Sequence, residues 1–223
     1  MVRAVIIDVD DTLCLTEHAT YLLENEALRR MGRPPMPRAV HIATWGRQLF
    51  EAITERSPGV DVDAFRAVYA PALQEYLDAG KLDVVPAQNY QAMDALIAAG
   101  KRLMLLTNRE HSELIHMLAP DHGLAGRVTA FYYRENMQFH KPDPRAFNEV
   151  LQAHGLAPGE CVYIGDSPSD AQAANQAGVH FVGSLEAGVR TPADFQAYHV
   201  DAFVAEFPGI VGAVAQLDAK QVQ

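Results

Sequence analysis

Residues 2–10 are apolar up to Asp8, broken only by Arg3, the pattern of a strand buried on both faces of a sheet. The period then changes. Ala19, Leu22, Leu23, Ala27, Leu28 and Met31 recur at helical spacing over 17–31, and Gly32 with Pro34, Pro35 and Pro37 ends that run. A second helical stretch is predicted over 44–55, stopping near Ser57-Pro58-Gly59. A third, over 63–79, carries Phe65, Val68, Tyr69, Ala72, Leu73, Tyr76 and Leu77 on one face, with a kink expected at Pro71 and a stop at Gly80.

After Val84-Val85-Pro86 short apolar runs alternate with helical ones. The pattern predicts helices over 88–99, 112–118, 144–154 and 169–177, and strands over 102–106, 128–133, 161–164 and 179–182. Such alternation implies a parallel sheet covered by helices on both faces. The expected organisation is a discontinuous α/β core, residues 1–14 and 85–223, interrupted by an all-helical insert over 15–84.

Composition narrows the function more than the fold. With 223 residues and 49% hydrophobic positions the chain can bury a full core. A net charge of −10 argues against a nucleic-acid footprint, which needs a basic face. The one basic cluster, Arg29, Arg30, Arg33 and Arg38, is read as a solvated helix end. Cys14 and Cys161 have no metal-ligand spacing and are read as small buried hydrophobes in a reducing compartment. No signal-peptide pattern and no membrane-length apolar stretch is visible, so a cytoplasmic location is expected, with no membrane partner.

The chemistry gathers at predicted strand ends, where parallel sheets bind ligands. Asp8 and Asp10 share one side of the first strand. At ~4 Å and an effective dielectric of ~20 two such charges repel by about 4 kcal/mol, so a cation or shared proton must compensate. A divalent metal is the simplest answer, and oxygen donors beside a phosphate favour magnesium. Taken alone, the Asp8-Val9-Asp10 spacing fits a solvated turn equally well. The other strand ends carry Thr107-Asn108, Lys141-Pro142-Asp143-Pro144, and Gly165-Asp166-Ser167 with Asp170 beyond. Each has an ordinary reading as a turn, a solvated lysine or a helix cap; their joint order does not.

That order, Asp-x-Asp-x-Thr, then Thr, Lys and Gly-Asp-x-x-x-Asp, resembles the haloacid dehalogenase superfamily over nearly the whole chain. The resemblance implies a Rossmann-like core with an inserted helical cap, and a phosphatase that acts on a small phosphorylated metabolite. It implies that Asp8 is the nucleophile and Asp10 the acid and then the base. Magnesium would be held by the Asp8 carboxylate, the Asp10 backbone carbonyl and the Asp166 carboxylate. Thr107, Asn108 and Lys141 would hold the phosphoryl oxygens, Asp170 would support the metal from behind, and Thr12 would orient the Asp pair by hydrogen bonding. One departure is Asp11, which stands where the family often has Gly.

A helical insert directly after the first motif is similar to that of the phosphoglycolate phosphatase-like branch. Relatives place a substrate loop at the position of Thr44-Trp45-Gly46-Arg47, which makes Trp45 and Arg47 candidates for contact with the leaving group. A core Trp and a surface Arg are the alternative. Asp10 argues against halide displacement, and the absence of lysine in the insert before Lys81 argues against Schiff-base chemistry and against the mutases. A phosphomutase and a non-catalytic phospholigand-binding protein remain the competing readings. The oligomeric state is not legible.

Overall fold

The computed structural model describes residues 1–220, which form two compact units, Met1–Cys14 with the chain from Val85 onward, and Leu15–Val84. In chain order the elements are β1 (Ala4–Ile7), then helices α1 (Glu17–Arg30), α2 (Arg38–Thr44), α3 (Leu49–Arg56) and α4 (Val62–Asp78). They continue with α5 (Ala87–Ala98), β2 (Arg102–Leu106), β3 (Ala130–Tyr132), α6 (Arg145–His154), β4 (Cys161–Gly165), α7 (Pro168–Ala177), β5 (His180–Ser184), β6 (Ala202–Val204) and α8 (Ile210–Lys220).

All the strands pair in parallel, in the order β3-β2-β1-β4-β5-β6. Pleating explains why they are apolar throughout. Val5 and Ile7 of β1, Leu103 and Leu105 of β2 and Val162 and Ile164 of β4 enter one core with Met93 and Leu96 of α5 and Ile210, Val214 and Leu217 of α8. The alternate residues Ala4, Ile6, Met104, Leu106, Cys161 and Tyr163 face the other core, under Phe147 and Val150 of α6 and Ala171 and Ala174 of α7. Both cysteines are buried thiols outside any disulfide, and burial pushes the Cys161 thiol up to about 12.

The first strand therefore lies centrally, with β2 on one side and β4 on the other. Ile7 aligns with Leu105 and with Ile164, so the three chains leave the sheet at one level. This is a topological switch point, where adjacent connections depart in opposite directions and open a crevice.

The Leu15–Val84 unit has its own apolar core of Leu23, Leu28, Phe50, Ile53, Phe65, Tyr69 and Leu73. Helix α4 runs through Pro71. The helix expected over 44–55 is α3 alone, which starts only at Leu49: the unpredicted α2 ends at Thr44, and the chain turns through Gly46 at φ 87° between them. A buried polar group knits this unit. His41 sits between Glu17 (Nδ1 to Oε1, 2.7 Å) and Glu24 (Nε2 to Oε1, 3.4 Å), and Arg56 donates to Glu24 (2.5 Å) and to Thr44.

The helix expected over 112–118 is only a 3₁₀ turn, His111–Glu113, followed by successive tight turns to Arg127. Pro120 bars the residues before it from continuing a helix, and Gly126 at φ 77° reverses the chain. Leu114, Met117 and Leu124 still reach the core, so the apolar spacing served burial without a helix. No helix among the described residues is long and apolar enough to cross a membrane.

Candidate active site

Asp8 is the first residue beyond β1. Its amide donates to the Ile164 carbonyl at 3.0 Å, so the sheet still fixes its backbone while its side chain enters the crevice. The chain then turns tightly, with Leu13 and Cys14 amides both donating to the Val9 carbonyl. Asp11 takes φ 49° in this turn, the left-handed region that Asp tolerates better than most residues, which accounts for an acidic residue in a Gly position.

Lys141 is the hub. Its buried ammonium donates to Asp8 Oδ1 (2.9 Å), Asp170 Oδ1 (2.7 Å) and the Tyr163 hydroxyl (2.5 Å). Burial alone would lower its pKa, but the Asp170 and Asp8 charges outweigh that and raise it, so it stays charged. Asp170 is held in turn by α7: its Oδ2 accepts from the Ser167 amide (3.1 Å) and hydroxyl (2.6 Å), a capping box at the helix start. Gly165 makes this possible, because a Cβ there would lie 2.7 Å from Asp170 Oδ2.

Carboxylates from Asp8, Asp166 and Asp170 offer oxygens within 4.8 Å of one another, all buried. One lysine cannot balance them. Burial first, then Lys141 in opposition and Asp170 and Asp10 in support, leaves the Asp8 carboxyl at about 7, up from 3.8. Asp166 is raised well above its ordinary value by burial and by Asp170 and Asp8. Its Oδ2 is buried with no hydrogen-bond partner. A buried carboxylate oxygen left unsatisfied beside other carboxylates is costly unless a cation meets it. Oxygen-only donors of this kind fit a hard divalent ion such as magnesium.

The remaining expected residues fall into distinct places. Thr107 is buried at the end of β2, and its hydroxyl accepts from the Arg109 amide at 3.3 Å. Asn108 was expected to face phosphoryl oxygens, but its amide group is engaged with the Lys141 backbone, Nδ2 to O at 2.9 Å and N to Oδ1 at 3.1 Å. These two bonds tie the Asn108 side chain to the Lys141 backbone. The Thr12 hydroxyl is buried with no hydrogen-bond partner, so the expected bond to the Asp pair is not made. The Asp10 side chain lies outside the carboxylate triad and pairs with Arg109. Within the helical unit, Trp45 packs its ring 5.2 Å from that of His41, and exposed Arg47 pairs with Glu55 at 2.7 Å.

Arg109 and Tyr163 had no role in the sequence reading, whereas Ser167 caps α7, the ordinary reading of the Gly165-Asp166-Ser167 run. Tyr163 was detectable: it is the one hydroxyl in an otherwise apolar strand run, and a buried phenol needs a polar partner. Arg109 follows Thr107-Asn108 directly, and its neighbourhood to a strand-end carboxylate depends on the β1-β2 pairing.

An α/β sheet with a carboxylate-lysine cluster at its central carboxyl edge defines the class, and comparison supplies the family. The family model for haloacid dehalogenase-like hydrolases matches residues 2–178, and the chain belongs to that family of enzymes. A phosphoglycolate phosphatase of Xylella fastidiosa is 28% identical over 178 residues, covering 79% of this chain and 77% of its own. One from Rhodobacter capsulatus is 27% identical over 198 residues, covering 87% and 89%. Among solved structures, CbbY from Rhodobacter sphaeroides in complex with phosphate superposes with a TM-score of 0.79 at 19% identity, covering 98% of this chain and 100% of that one. A β-phosphoglucomutase from Clostridium difficile gives 0.74 at 14% identity, with both chains fully covered.

Proposed function

We propose that the protein is a magnesium-dependent phosphatase that hydrolyses a small phosphorylated metabolite, phosphoglycolate or a sugar phosphate, through an aspartyl-phosphate on Asp8. The observation that carries this reading is Asp8 itself, buried, fixed by the sheet and held at 2.9 Å by the Lys141 ammonium, with Asp10 two residues away. The phosphatase names of the relatives support it.

In this reading an Asp8 oxygen attacks phosphorus while the ester P–O bond breaks, and Asp10 gives its proton to the departing oxygen. Asp10, now a carboxylate, takes a proton from water, which attacks the same phosphorus and frees both phosphate and Asp8. A positioned acid and base of this kind contributes about 10² to 10⁴ in rate. Lys141 stays charged throughout and meets the phosphoryl oxygens without reorganisation. Asp8, Asp166 and the Asp10 carbonyl would hold magnesium, which neutralises charge growing on those oxygens. Asp170 keeps Lys141 in place. Substrate discrimination is assigned to the helical unit, with Trp45 and Arg47 as its candidates.

The mutase reading has less support, since the insert carries no lysine before Lys81. The test is phosphate release from a panel of phosphorylated acids and sugars with magnesium. Release that Asp8→Asn abolishes is expected. Tight binding of these compounds without release, sugar-phosphate isomerisation that outpaces release, or an active Asp8→Asn protein, would overturn the proposal.

A further inference from the structure

The loop beyond β2 presents Arg109 to the Asp10 side chain in a two-pronged grip. Nε donates to Oδ2 at 2.9 Å and Nη2 donates to Oδ1 at 2.5 Å. The pair is largely enclosed, with the Arg109 side chain 10% exposed and that of Asp10 22% exposed. The base of the fork is itself fixed. Its amide donates to Thr107 Oγ1 (3.3 Å), and its carbonyl accepts from the Arg134 amide (3.0 Å). Buried Glu113, four residues along the same loop, accepts the Glu110 amide and ties down the next turn.

A planar guanidinium that bonds both oxygens fixes the plane of a carboxylate, which a lysine, as a point charge, does not. Asp8 is fixed by β1, whereas the Asp10 carboxyl projects from a tight turn and takes its orientation from what it meets. We propose that Arg109 is the positioning residue for Asp10: the fork aims the carboxyl at the departing oxygen and then at water, so Arg109 governs how far the rate depends on proton donation. This rests on the acid-base role of Asp10 proposed above. When the proton moves, one prong releases its oxygen while the other keeps the already oriented carboxyl tethered to the fork.

The test compares Arg109→Met and Arg109→Lys with wild type, as full chains with magnesium, on an alkyl and an aryl phosphate monoester. Alkyl leaving groups need the acid and aryl ones need it far less. A misaimed acid should lower kcat on the alkyl ester by about 10²-fold and on the aryl ester by about tenfold less. KM should stay near the wild-type value, and Arg109→Lys should restore only a minor part of the loss. In an Asp10→Asn background, Arg109→Met should add no further loss on the aryl ester. An equal fall on both esters, a rise confined to KM, full rescue by Lys, or additive losses with Asp10→Asn would overturn the proposal. If Arg109→Met does not fold, Arg109→Lys carries the same comparison. A wild type that releases no phosphate, or an active Asp8→Asn protein, would instead strike the phosphatase reading.

Discussion

Removing the metal should make the fold sensitive to pH, with a sign that the site dictates. In metal-free protein Asp8 holds its proton up to about 7, against 3.8 in the open chain, because burial outweighs Lys141. Asp166 is raised for the same first reason. Between those values the folded state binds protons that the unfolded chain has released, so stability is fully present below about pH 4 and is lost as pH rises through about 7. At about 1.4 kcal/mol per pH unit, Asp8 alone accounts for about 4 kcal/mol, a large part of a domain's usual margin of about 5–15 kcal/mol. Magnesium that binds only the folded state should return about 2.7 kcal/mol at a concentration a hundredfold above its Kd. Urea unfolding with a chelator and then with magnesium, at about pH 5 and about pH 8, reads both effects. Asp166→Asn removes one buried charge; it should raise the metal-free stability at the higher pH and abolish the magnesium gain. A metal-free stability that is flat with pH, or a full magnesium gain in Asp166→Asn, would refute the reasoning.

Three further outcomes are expected. Lys141→Met should lower kcat by about 10³-fold at saturating substrate, since it removes the buried cation that meets both Asp8 and Asp170; a loss under about tenfold would contradict its role. Tyr163→Phe takes away a hydroxyl that contacts both Lys141 and Asp170, and should cost about 1–2 kcal/mol in denaturant unfolding with a smaller effect on kcat than Lys141→Met. In the helical unit, Arg56→Met leaves Glu24 buried beside His41 without its 2.5 Å partner. It should destabilise that unit by about 3–5 kcal/mol, and unchanged unfolding would argue against the buried pair.

How much of this could be read from residues alone depended on whether a signal was local. Strand β2 was legible to the residue and α1 nearly so, because apolar period and punctuation agree there. The four strand-end motifs were legible because a parallel sheet brings its carboxyl ends together whatever lies between them. The 111–127 segment was misread because Leu114 and Met117 repeat at helical spacing while Pro120 and Gly126 forbid the helix. Strand β6 and helix α8 carried too few contrasting positions to be singled out. Within the site, the residue types at Asp8, Lys141 and Asp166 announced themselves. The partners of Asn108 and Arg109 did not, since each depends on which loop lies across the sheet edge.

The most direct test of the account is rapid acid quench of the working enzyme with a labelled phosphate ester, followed by mass spectrometry of the digested chain. The account predicts a transient phosphate on the peptide that holds Asp8, formed and lost at rates compatible with turnover. Turnover with no phosphate on that peptide at any quench time, or with the adduct on another residue, would contradict it.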